Sequence, residues 1–88
     1  MPDTDQTRRD LTLMLMYLNS WIERDPGFDV RRFWKGYDFH DIDELEEQGL
    51  ISQSKRAKSA YFREEGVAKV RELLAKYGIA DPESEPDT

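Results

Sequence analysis

The stretch DIDELEEQGLISQSKRAKSAYFREEG, residues 41–66, decides the fold class of this chain of 88 residues. A segment rich in helix-forming residues ends at Gly49, and two short segments typical of β-strands, LISQ and SAYFR, flank the polar sequence SKRAK. Glycine readily takes the left-handed conformation that closes a helix. The stretch therefore predicts a helix, a two-stranded β-hairpin and, from Glu64 onward, another helix that ends at Gly78.

The helix before Gly49 has a clear start at Asp38, because a carboxylate at the N-cap accepts hydrogen bonds from free backbone N–H groups. Tyr37 and Ile42 have the spacing of a hydrophobic staple around this cap. Phe39, Ile42 and Leu45 recur at helical spacing. We expect these three side chains to face the core.

The segment TRRDLTLMLMYLNSWIER, residues 7–24, predicts the first helix, since its apolar residues recur at helical spacing and Pro26 and Gly27 follow it. The apolar arc is broader than one stripe. Leu13, Met16 and Tyr17 account for the surplus, and they fit either the core or an interface for self-association.

The segment FDVRRFWKGYD, residues 28–38, allows two interpretations. A short helical turn within residues 29–34, capped by Asp29, is one, and an extended segment is the other. We expect Phe33 and Trp34 to anchor this segment in the core and Gly36 to supply a turn, because a small domain needs aromatic volume.

Composition predicts one small domain over residues 7–79, with disordered acidic ends at residues 1–6 and 80–88. The net charge is −6, but six of the 19 acidic residues lie in these ends, which leaves 13 acidic against 13 basic residues between them. The chain has no cysteine, and neither a membrane span nor a secretory signal is evident. We therefore expect a cytoplasmic protein without membrane contact.

The predicted order of helix, short element, helix, hairpin and helix resembles the winged-helix layout. This resemblance implies a small α+β domain with three main helices and one two-stranded β-hairpin. Arg63 stands where winged-helix proteins usually have a threonine that caps the last helix. These motifs mostly encode packing, so they imply a fold and not a function.

The chain is also similar to a family of small uncharacterised bacterial proteins, a domain of unknown function. The shared elements are an L-x-Y-L helix, a WKG(F/Y)D(F/W) stretch, a GLI turn, a KAKS segment and an EEG helix start. They fall at Leu15–Leu18, Trp34–Phe39, Gly49–Ile51, Ala57–Ser59 and Glu64–Gly66. The family's activity is not established, so this resemblance implies no function.

Charge on the helix before the hairpin argues against DNA recognition by that helix. Winged-helix proteins that read DNA place this helix in the major groove, where its exposed side chains meet phosphates and bases. Here the helix carries five carboxylates and no Lys or Arg. We expect a protein partner to dock on this acidic helix, with Asp41, Glu44 and Glu47 outermost, and on the basic loop of the hairpin as a second surface.

Basic residues concentrate elsewhere and support an alternative, a nucleic-acid-binding domain of the kind found in transcription regulators. Phosphates would be contacted by the hairpin loop and by the aromatic segment. The candidate contacts are Arg31, Arg32, Lys35, Lys55, Arg56 and Lys58.

No motif of an enzyme is present, such as a glycine-rich phosphate loop or a nucleophile elbow. His40 stands among aspartates, but a metal site needs further converging ligands. We expect a non-catalytic binding module without metal or cofactor, as a monomer or a homodimer.

Overall fold

The computed structural model describes residues 4–25, 27–54 and 56–81. Within these residues it contains three α-helices and four β-strands, which confirms the predicted α+β class. The elements in chain order are α1 (Thr4–Leu18), β1 (Trp21–Asp25), β2 (Phe28–Trp34), α2 (Phe39–Glu47), β3 (Ile51–Gln53), β4 (Ser59–Phe62) and α3 (Glu64–Tyr77). Of the segments predicted as disordered ends, residues 4–6 belong to α1, while residues 1–3 and 82–88 lie outside the described residues.

The four strands form one antiparallel sheet in the order β1-β2-β4-β3. The predicted hairpin is β3–β4, and the sequence prediction missed a second hairpin, β1–β2. The two hairpins join where β2 pairs with β4, with Phe33 opposite Ala60. The sheet is therefore twice as wide as the single hairpin predicted from the sequence.

The core lies on one face of this sheet. Phe33 from β2, Ala60 and Phe62 from β4, and Ile51 from β3 supply its floor. All three helices cover it with apolar side chains, which are Leu13, Met14, Met16, Tyr17, Ile42, Leu45, Val70, Leu73 and Leu74. Leu13, Met16 and Tyr17 are at most 1% exposed, so they belong to the core and are not available as a surface for self-association.

The first helix ends at Leu18, and its predicted extension to residue 24 is wrong. The amide of Asn19 makes the last helical bond, to the carbonyl of Leu15. Trp21 and Ile22 instead pair with Arg32 and Arg31 of β2. Their spacing from Leu18 imitates a helix, but the neighbouring strand offers their backbone groups another set of hydrogen bonds.

The short turn predicted within residues 29–34 is also wrong, because this segment is β2, and the extended alternative is confirmed. Side chains alternate between the two faces of a strand. Phe33 therefore enters the core, whereas Trp34 points to the opposite face with 63% of its surface exposed. The expectation that both aromatics anchor the core holds for Phe33 alone.

The boundaries of α2 match the sequence prediction. The Asp38 carboxylate accepts a hydrogen bond of 2.8 Å from the amide of His40. Gly49 has a φ of +77°, and the amide of Leu50 donates to the carbonyl of Leu45 over 3.1 Å. Phe39, however, is 75% exposed, so its predicted place in the core is wrong.

None of the helices in the described residues is long and apolar enough to cross a membrane.

Candidate functional site

The sheet face opposite the core is uncovered, and within the described residues none of its side chains is buried. The register of the strands places the large residues of this face next to each other. Trp21 of β1 lies opposite Arg32 of β2, which lies opposite Tyr61 of β4. Trp34 follows two residues after Arg32 on the same face. We call the surface formed by Trp21, Arg32, Trp34 and Tyr61 the open face.

The aromatic rings of the open face form two adjacent groups. The rings of Trp21 and Trp34 have centroids 5.0 Å apart and an interplanar angle of 41°. The Arg32 guanidinium carbon lies 5.9 Å from the centroid of the Tyr61 ring, within the range of a cation–π contact. The Arg32 Nε is also 2.6 Å from a carboxylate oxygen of Glu23, so Arg32 is oriented from two sides.

Three basic residues lie in or directly beside the loop at the end of the sheet next to Trp34. The wing, defined here as residues 54 and 56–58 between β3 and β4, contributes Arg56 and Lys58, both of them exposed. The Lys35 amide donates to the carbonyl of Lys58 over 2.9 Å, and the Lys35 ammonium donates to the carbonyl of Ser54 over 2.6 Å. These contacts hold the start of the segment after β2 against the wing. Lys55 lies outside the described residues.

Arg31 does not join this group. It lies opposite Ile22 in the sheet and points to the helix side. Its guanidinium carbon stacks 4.5 Å from the centroid of the Tyr17 ring, and its Nη1 donates to the Ser20 hydroxyl over 2.7 Å. The structure thus separates Arg31 from Arg32, and Arg31 supports the junction between α1 and β1.

The acidic helix α2 differs from the sequence expectation at its first turn. Asp41 is 3% exposed, and its carboxylate accepts a bond of 2.7 Å from Nη1 of Arg8 in α1. The prediction that Asp41 lies outermost is therefore wrong, because a cation from a distant helix compensates its burial. Glu47 is exposed as expected, while Glu44 is half-buried.

Other carboxylates of α2 are engaged with the sheet. The Gln53 side chain donates to Asp43 over 3.1 Å and to Glu46 over 3.2 Å. Gln53 lies opposite the buried Ala60, so these contacts are on the helix side of the sheet. The negative charge of α2 and the open face consequently lie on opposite sides of the sheet.

A groove of about 620 Å³ continues the open face toward the first turn of α3. Arg32 and Tyr61 of the open face line this groove together with Arg63, Glu64 and Glu65. Charges of both signs line it. Among residues 4–25, 27–54 and 56–81, no three His, Asp or Glu side chains converge to hold a metal ion.

Sequence reasoning missed Trp21 and Tyr61 as surface residues. For Tyr61 a signal existed, since SAYF alternates, and a core position for Ala60 and Phe62 places Tyr61 outside. Trp21 gave no such signal, because its face depends on the pairing of β1 with β2.

The fold and this surface define a small α+β domain with one helix-covered and one open sheet face. The chain belongs to the family described as Domain of unknown function (DUF6429), whose model matches residues 4–80. No curated protein and no solved structure matches the chain.

Proposed function

We propose that the protein is a non-catalytic module that binds nucleic acid by contacting phosphates at the wing. The observation that carries this proposal is the attachment of Lys35, next to the exposed Trp34, to a wing that adds the exposed Arg56 and Lys58. When Lys and Arg side chains neutralise phosphates, the counterions condensed on the nucleic acid are released. This release drives binding to any nucleic-acid sequence. The sequence alone favoured a protein partner, but that preference relied in part on Asp41.

The charge distribution supports this choice. On the open face the carboxylate of Glu23 is paired with Arg32, so the two charges offset each other. The wing cations remain in excess at the end of the sheet. The carboxylates of Asp43 and Glu46 are held by Gln53 on the other side. A polyanion that lies on the open face is thus separated by the sheet from the carboxylates of Asp43 and Glu46.

Binding to labelled DNA by fluorescence anisotropy, at low and at higher salt, tests the proposal. Arg56→Glu combined with Lys58→Glu should weaken binding and reduce the slope of log affinity against log salt by about 1 for each phosphate contact removed. The matched control is Lys69→Glu combined with Lys76→Glu on α3, which changes the net charge equally. An equal loss in both double variants would mean that binding follows net charge and not the wing.

A second candidate is protein docking through α2, which the exposed Phe39 favours. Phe39, Asp43 and Glu47 are spaced four residues apart and share one exposed face of the helix. An apolar ring amid carboxylates suits a basic, amphipathic partner segment. Calorimetric titration with an Arg- and Leu-rich helical peptide tests this candidate. Phe39→Ala with Glu47→Lys should abolish the binding, whereas the Arg56→Glu and Lys58→Glu variant should retain it.

A further inference from the structure

We infer that the nucleic acid bound is single-stranded, and that its bases stack on the aromatic rings of the open face. This inference rests on the proposed function, since it names the form of nucleic acid that the wing holds. Its first support is the exposure of the rings. Trp34 is 63% and Tyr61 39% exposed in a domain whose small core would gain from burying them.

The placement of the rings suits unpaired bases. Trp21 and Trp34 form one composite apolar surface, and Tyr61 lies two strands away across the sheet. Between them lies the flat guanidinium of Arg32, which can also stack on a base. Base–aromatic stacking tolerates any sequence, because every base offers a π-face.

Charge selects among the ligands that could cover such a surface. An apolar protein segment would satisfy the rings but not the wing cations. A single strand offers both, because its phosphates can reach Lys35, Arg56 and Lys58 while its bases lie on Trp34 and its neighbours. The adjacency is direct, since Trp34 pairs with Ser59, the residue that follows Lys58.

Shape disfavours duplex DNA. In a duplex the bases are stacked on each other, so their faces are closed to protein rings. Four strands spaced by about 4.8 Å place the outer strands roughly 14 Å apart. This width exceeds the major groove of about 12 Å, so the open face cannot enter it. The helix α2 presents carboxylates rather than cations, and it offers no second way into the groove.

The experiment compares oligo-dT with a duplex of equal length and with inorganic polyphosphate, at low salt, using the full chain. We expect oligo-dT to bind more tightly than the duplex and to quench tryptophan fluorescence, and polyphosphate to bind without quenching. Trp34→Ala and Tyr61→Ala should each weaken oligo-dT binding by between about 5-fold and 150-fold. Phe39→Ala is the matched control, since it removes an aromatic ring that is more exposed than either of these but lies outside the open face.

The results distinguish a failure of base stacking from a failure of nucleic-acid binding as a whole. Equal binding of duplex and oligo-dT, unchanged in Trp34→Ala but weakened in the Arg56→Glu and Lys58→Glu variant, would overturn stacking and leave phosphate binding intact. No binding of any of the three polyanions at low salt would overturn both. Circular dichroism and thermal melting check that each variant is folded, and the exposure of Trp34 and Tyr61 makes loss of the fold unexpected.

Discussion

Arg8 of α1 and Asp41 of α2 form an ion pair of 2.7 Å that joins the two helices. The Asp41 side chain is only 5% exposed. Arg8→Ala leaves this carboxylate without its guanidinium, and we expect a loss of about 1–3 kcal/mol in the free energy of unfolding. Because the Arg8 side chain is half exposed, water replaces part of the interaction and the loss should fall near the lower value. Urea denaturation measures it.

The control for Arg8→Ala is Arg56→Ala, which removes an exposed guanidinium from the wing. A double-mutant cycle makes the test specific to the pair. The loss caused by Arg8→Ala should shrink in an Asp41→Asn background. An unchanged loss in that background would show that Arg8 stabilises the fold through other contacts.

Gly66 at the start of α3 packs directly against the backbone of residue 50. A Cβ on Gly66 would lie 2.0 Å from the Leu50 carbonyl oxygen, which also accepts a bond from the amide of Arg63. We expect Gly66→Ala to cost about 1–3 kcal/mol or more, because neither backbone segment can move without breaking this bond. Thermal or urea unfolding measures the loss. Gly36→Ala, where a Cβ meets open space, should leave stability nearly unchanged.

The Tyr17 phenol should make the free energy of unfolding depend on pH in the alkaline range. Burial raises the pKa of the Tyr17 phenol above its ordinary value of 10.0, and the hydrogen bond to Asp81 acts in the same direction. Arg31 over the ring opposes this shift without reversing it. In the unfolded chain the phenol ionises at its ordinary pKa, so the free energy of unfolding is unaffected below about pH 10 and falls as the pH rises further.

Urea midpoints between about pH 9 and pH 11 measure this effect. Tyr17→Phe should be less stable at neutral pH, since it loses the bond of 2.9 Å to Asp81, yet it should lose less stability on going to high pH. Tyr77→Phe, at an exposed tyrosine, should keep the pH dependence of the parent protein. Parallel pH profiles for all three proteins would contradict the prediction.

Asp38 should stabilise the fold by capping the start of α2. Asp38→Ala removes the acceptor for the His40 amide and should cost about 1 kcal/mol, whereas Asp38→Ser keeps an oxygen at the cap and should cost less. Thermal unfolding compares the two variants. Asp29→Ala, which removes an exposed carboxylate from β2, controls for the change in charge.

Features with local causes were predictable from the sequence. Asp38, Gly49 and Gly78 mark helix ends through the backbone geometry that each residue type favours, and the structure agrees at all three. The hairpin β3–β4 was predictable for the same reason, since β-prone segments flank a short polar loop.

Features that depend on distant partners were not predictable. Asp41 was predicted at the surface because its neighbours in the sequence do not show that Arg8, on another helix, pairs with its carboxylate. Trp21 was predicted as helical because its spacing from nearby apolar residues fits a helix. The strand that pairs with it, β2, comes later in the chain and is not part of that pattern. The candidate site was accordingly predicted in part, with the cations of the wing identified and the aromatic rings beside them missed.

The order of the strands has a consequence for how the chain folds. Each hairpin pairs residues that are close in sequence and can form early, but Phe33 and Ala60 must meet from opposite halves of the chain. Closing that long loop is entropically slow, so the junction of β2 with β4 is expected to limit the folding rate. Both the floor of the core and the continuous row of Trp21, Arg32 and Tyr61 come into existence at that step. A nascent or partly unfolded chain would hold two separate half-surfaces, so the surface proposed for binding would be complete only once the sheet has closed.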